Sequence, residues 1–80
     1  MRIRDEVIEM IAQESMTAIP ITDDTHLYRD LHFDSLAFVS LLTELEDRYH
    51  LTIELPEMER CLIAGQLIAL IEAKWKEQAV

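Results

Sequence analysis

The sequence predicts an all-α protein, a small four-helix bundle of three long helices and one short one, with a long loop between the first two helices. Three observations carry this. Apolar residues recur at three- and four-residue spacing in three separate stretches, which puts them on one face of a helix each time. A single long polar connection holding Pro20 separates the first two stretches. The one β-like run, Leu51-Thr52-Ile53, has no second run to pair with, so it reads as loop.

Taken in order, the first helix runs from about Ile3 to Glu14. Ile3, Val7, Ile8 and Ile11 form its buried stripe, and Arg2, Arg4, Asp5, Glu6, Glu9 and Gln13 its wet side. From Ser15 to Phe33 the chain is a connection with the polar run Thr22-Asp23-Asp24-Thr25. Loops of this length in small domains are functional or well anchored. Ile19, Ile21, Leu27, Tyr28, Leu31 and Phe33 supply apolar surface to pin it. The second helix spans Ser35 to Tyr49, with Phe38, Leu41, Leu42, Leu45 and Tyr49 facing the core and Asp34 as N-cap. Stepping at about 100° per residue places Ser35 at the edge of that face. Leu36 falls on the opposite side with Ser40, Thr43 and Asp47. Pro56 suits the first turn of a short helix from Glu57 to about Cys61. The last helix covers about Ala64 to Glu77, with Leu67, Ile68, Ile71 and Trp75 inward and Lys74 and Lys76 near its negative end.

Composition bounds the function. Eighty residues make one domain, expected over residues 1–80, with a core worth only about 3–5 kcal/mol net; a deep self-contained active site is not expected. Sixteen acids against seven Lys and Arg give a net charge of −9. That surface repels the phosphates of nucleic acid and anionic membranes and complements basic protein surfaces. There is no 18-residue apolar run and no signal peptide, so a cytoplasmic monomer is expected. Cys61 is alone and reads as a small buried residue. The three histidines and one cysteine lack metal-ligand spacing, and Asp23-Asp24 lacks the glycine and glutamate of a calcium loop. A catalytic serine needs a base in reach and oxyanion donors, and Ser35 has no Gly-x-Ser-x-Gly context. No catalytic residue and no metal ligand is assigned.

The stretch Asp30-Leu31-His32-Phe33-Asp34-Ser35-Leu36, continued by Ala37-Phe38-Val39-Ser40-Leu41-Leu42-Thr43-Glu44-Leu45-Glu46-Asp47, resembles the carrier signature of acyl carrier proteins. Ile63-Ala64-Gly65-Gln66-Leu67-Ile68-Ala69-Leu70-Ile71 is similar to that family's last helix. The resemblance implies a non-catalytic carrier. Ser35 would be the attachment point of 4′-phosphopantetheine, donated from coenzyme A by a phosphopantetheinyl transferase, with acyl or aminoacyl groups held as thioesters on the arm. By the same resemblance Asp34 would help bind the magnesium that accompanies coenzyme A; its plain reading is an N-cap, and the two are compatible. Phe38, Leu42 and Leu45 would line the cleft that shelters acyl chains. The region from Asp30 to Glu59, with eight acids and one base, would dock acyl-loading and pathway enzymes through their basic patches. Leu36, Val39, Glu46 and Asp47 are the expected contacts. An acidic helical adaptor that binds a basic partner without modification is the alternative.

Departures from the family pattern are specific. His32 and His50 stand where carriers commonly have glycine, and histidine visits positive φ more readily than most residues. Ala37 and Ser40 replace positions that are often acidic in fatty-acid carriers, which leans the pathway toward specialised polyketide or nonribosomal peptide chemistry. Ile63 replaces the usual Thr or Ser cap of the last helix, at an expected cost of roughly 1 kcal/mol.

Overall fold

The computed structural model describes residues 2–15 and 19–78; the part of the expected loop at 16–18 lies outside them. Four helices follow in order: α1 Ile3–Glu14, α2 Ser35–Tyr49, α3 Leu55–Met58 and α4 Ala64–Gln78. No strand occurs among the described residues. No described helix is long and apolar enough to cross a membrane. Helix α1 packs against both α2 and α4, and the three long helices close over one core together with Leu27, Leu31 and Phe33 of the loop.

Helix α1 buries Val7, Met10 and Ile11, with Ile3 and Ile8 only partly covered. Met10 was not in the expected stripe; it stands three residues after Val7 and beside Ile11, on the same helical face, and is buried with them. On its other flank Glu6 reaches α2. The Tyr49 hydroxyl donates to Glu6 Oε2 and Arg48 Nη2 donates to Glu6 Oε1 at 3.2 Å. The Tyr49 bond, then Arg48, holds the Glu6 carboxyl below its ordinary value. That contribution is present above about pH 4.5 and is lost as acid takes the pH down through the depressed value. Burial, then the bond to Glu6, pushes the Tyr49 phenol from 10.0 up to about 12. A raised folded-state value means the stabilisation is whole below pH 10 and disappears as the pH climbs from 10 toward 12. Wild type should therefore be more stable than Tyr49→Phe at neutral pH, and thermal melts should show the gap narrowing across that alkaline window.

The loop is anchored as its composition implies, with one exception. Leu27, Leu31 and Phe33 are buried, and Tyr28 packs edge-on against Phe38 with ring centroids 5.5 Å apart. Ile19 is the exception, exposed beside the residues outside the described set. The loop also completes α4. Ile63 offers no side-chain cap, but the first N–H groups of α4 are taken by loop carbonyls: Ala64 N–H by Thr25 O and Gly65 N–H by Asp23 O, both at 2.9 Å. An antiparallel bridge pairs His26 with Ile63, and Leu27 N–H donates to Leu62 O at 2.9 Å. The expected loss at Ile63 is thus offset by backbone acceptors from far upstream.

Helix α3 begins two residues earlier than Pro56 alone suggests and stops at Met58. Glu57 Oε1 accepts from Glu54 N–H at 2.9 Å, which makes Glu54 the N-cap and puts Pro56 inside the first turn. The same oxygen pairs with Lys74 Nζ of α4 at 3.0 Å. Helix α4 turns Ala64, Leu67, Ile68 and Ile71 inward. Trp75 was expected inside; it remains 41% exposed, with its edge contact to Tyr49 at 5.7 Å as its hold on the core.

Candidate functional site

Three residues before α2 set the geometry of its start. His32 adopts φ 57, the left-handed region, which turns the chain so that Phe33 enters the core and its N–H reaches Leu27 O at 3.1 Å. Asp34 then caps the helix, its Oδ1 accepting from Ala37 N–H at 2.8 Å. Ser35 is the first helical residue and is exposed. Among the described residues its hydroxyl has no hydrogen-bond partner, and the N–H groups of Ser35 and Leu36 have no acceptor. At the other end His50 ends the helix at φ 54, its N–H on Glu46 O. Both histidines that replace expected glycines therefore occupy the backbone region that glycine would favour.

Beside the Ser35 hydroxyl lies a groove of about 370 Å³. Phe38 and Val39 of α2, Leu55 and Met58 of α3, Tyr28 of the loop and Leu62 make its apolar walls, with Ser35 and Glu59 at its edges. Phe38 was expected here. Leu42 and Leu45 were expected too, but they are sealed in the core and do not line it. The remaining wall residues were missed, because a groove between two helices is not a periodicity of either. Leu55 and Met58, three apart just around a proline, are the one local hint.

The expected contact residues separate into two groups. Leu36 is 79% and Val39 53% exposed, and with Asp47 they follow the open face of α2. Leu55, 69% exposed, extends the apolar surface across the groove. Glu46 points elsewhere: its carboxylate accepts from Ile53 N–H at 2.8 Å and holds the loop after α2. On the neighbouring α2 surface the Glu44 carboxyl is pushed up by desolvation and then by Glu14. Cys61 is buried, and burial raises its thiol to about 11, so it is a packing residue at neutral pH.

A free hydroxyl and two free N–H groups at a helix start form a place where an alcohol can be modified and its phosphodiester then accepted. These residues fit a phosphate-linked arm. The family described as "Phosphopantetheine attachment site" matches residues 5–71 of this chain. A probable acyl carrier protein of Caulobacter vibrioides is 37% identical over 54 residues, covering 68% of this chain and 63% of that protein. An acyl carrier protein of Exiguobacterium is 35% identical over 54 residues, covering 68% of each chain. The fold and the match together define a phosphopantetheine-attachment domain. The chain belongs to the acyl carrier protein family, whose prosthetic group is covalently bound 4′-phosphopantetheine.

Proposed function

We propose that this chain is a single, non-catalytic carrier domain whose Ser35 Oγ takes the phosphopantetheine arm. The observation that carries this reading is the exposed Ser35 hydroxyl, unpartnered among the described residues, at the capped start of α2 on the rim of an apolar groove. In the loading reaction Ser35 Oγ attacks the pantetheine-bearing phosphorus of coenzyme A. The Oγ–P bond forms as the pyrophosphate P–O bond breaks, and adenosine 3′,5′-bisphosphate leaves. No described carboxylate or imidazole bonds Oγ, so its proton passes to a base on the transferase. Asp34 Oδ2, unlike Oδ1, has no donor among the described residues and is free to meet the magnesium that travels with coenzyme A. Once attached, the arm supplies the thiol on which acyl groups ride as thioesters.

Partners in this reading are the transferase and the acyl-loading and pathway enzymes of a fatty-acid, polyketide or nonribosomal peptide type pathway. Ala37 and Ser40 thin the acid near Ser35 and favour the specialised pathways. Basic patches on those enzymes are steered by the −9 charge, which gives fast encounters without a large interface. Leu36 and Val39 supply apolar contact, Asp47 charge, and Glu46 a partly shielded charge. Leu36→Ala should leave the melting temperature unchanged while lowering transferase kcat/KM about tenfold, the cost of one well-placed apolar contact. Incubating the chain with coenzyme A, magnesium and a broad-specificity transferase tests the reading itself. Intact mass should rise by one phosphopantetheine; no rise with several transferases would point instead to an unmodified acidic adaptor.

A further inference from the structure

His26 lies outside the attachment site, yet its imidazole does a specific job in the loop. Its Nδ1 accepts two backbone hydrogen bonds, from Tyr28 N–H at 3.2 Å and Arg29 N–H at 3.1 Å. Asp30 closes the turn from the other side, its Oδ2 accepting from His26 N–H at 2.7 Å and its N–H donating to His26 O at 2.8 Å. Two donors aimed at one ring nitrogen require a lone pair there, so the proton of the neutral ring sits on Nε2. An imidazolium carries a proton on both nitrogens and cannot accept at either. The turn so held is not isolated. It delivers Leu27 and Leu31 to the core, it sets Tyr28 as a wall of the groove beside Ser35, and the His26–Ile63 bridge joins it to the start of α4.

We infer that His26 is a positioning residue, a side-chain cap whose Nδ1 holds the Tyr28 wall of the groove, so that loss of this acceptor loosens that wall. The charged neighbours do not replace the lost acceptor. Asp30 is already committed to the His26 backbone, and Arg29, on the same turn, adds positive charge. Asp23, upstream, is paired with Arg4 of α1. The opposing segment Leu62-Ile63-Ala64 contains no titratable side chain. The inference does not depend on what Ser35 carries.

Amide protection factors of Tyr28 and Arg29, measured by NMR in the unmodified chain at one fixed pH, read the cap directly. In His26→Ala both should fall about tenfold, as expected for loss of one cap. His26→Asn keeps an oxygen acceptor and should restore them. Nitrogen shifts of wild type should put the neutral ring's proton on Nε2, leaving Nδ1 as the acceptor. If His26→Ala fails to fold, the ring shifts and the Asn variant still decide. Nitrogen shifts that put the neutral ring's proton on Nδ1, protection unchanged in His26→Ala, or an equal fall in His26→Asn would each overturn the assignment.

Discussion

Ser35→Ala is expected to melt like wild type and to gain no mass at all with coenzyme A and transferase. The side chain is exposed and its hydroxyl bonds to nothing described, so removing it breaks no native interaction. Alanine is a better helix former than serine, and Asp34 still caps the turn. Stability should therefore stay within about 0.5 kcal/mol, the usual range for surface positions free of special roles. The chemistry has no such tolerance, because the transferred phosphoryl group needs an oxygen and alanine has none. Melting and mass measured on one preparation separate a lost nucleophile from a lost fold. A variant that unfolds would show that the hydroxyl has a structural partner; one that still gains the arm would place the site elsewhere.

The second large effect falls at the start of α4. Gly65→Ala should destabilise the chain, although alanine within a helix ordinarily improves on glycine by about 1 kcal/mol. A Cβ at Gly65 would lie 2.8 Å from Asp23 O and 3.2 Å from Asp23 Cβ. Real Cβ atoms do not approach a carbonyl oxygen that closely, and this carbonyl is the acceptor of the Gly65 N–H itself. Either α4 or the loop must move, and both the cap and its neighbour, Ala64 N–H to Thr25 O, are strained or lost. Overpacking of this kind costs about 1–3 kcal/mol and one lost backbone bond about 1 kcal/mol, which together exceed the propensity gain. The expected net loss is about 1–3 kcal/mol, a large share of what a domain this small holds. Urea denaturation should show a lower midpoint with a similar slope; a midpoint at or above wild type would mean that the loop gives way without cost.

Helix α2 was legible nearly residue by residue because its signals are local. Asp34 announces the start, the Phe38–Leu41–Leu42–Leu45–Tyr49 row gives the buried face, and Leu36 emerges as the leucine left outside. Features built from distant parts of the chain were not legible. The caps of α4 are carbonyls some forty positions upstream, so Ile63 looked like a defect. Helix α3 was displaced because a proline is accepted anywhere in a first turn, while the deciding contact is Glu57 folding back on Glu54. The second tie of Glu46 was hidden for the same reason, because nothing in its neighbourhood along the chain reveals the Ile53 N–H that its carboxylate accepts from. The groove escaped for the same reason: Val39 and Leu55 each read as stray apolar residues until α3 is laid beside α2.

Of the serines of this chain (Ser15, Ser35 and Ser40), Ser35 alone is expected to carry the arm. Tandem mass spectrometry of a proteolytic digest of the loaded protein reads that assignment directly. The phosphopantetheine should reside wholly on the peptide that contains Ser35, at that side chain. An arm found on Ser15 or Ser40, or a loaded protein whose Ser35 remains an unmodified alcohol, would contradict it.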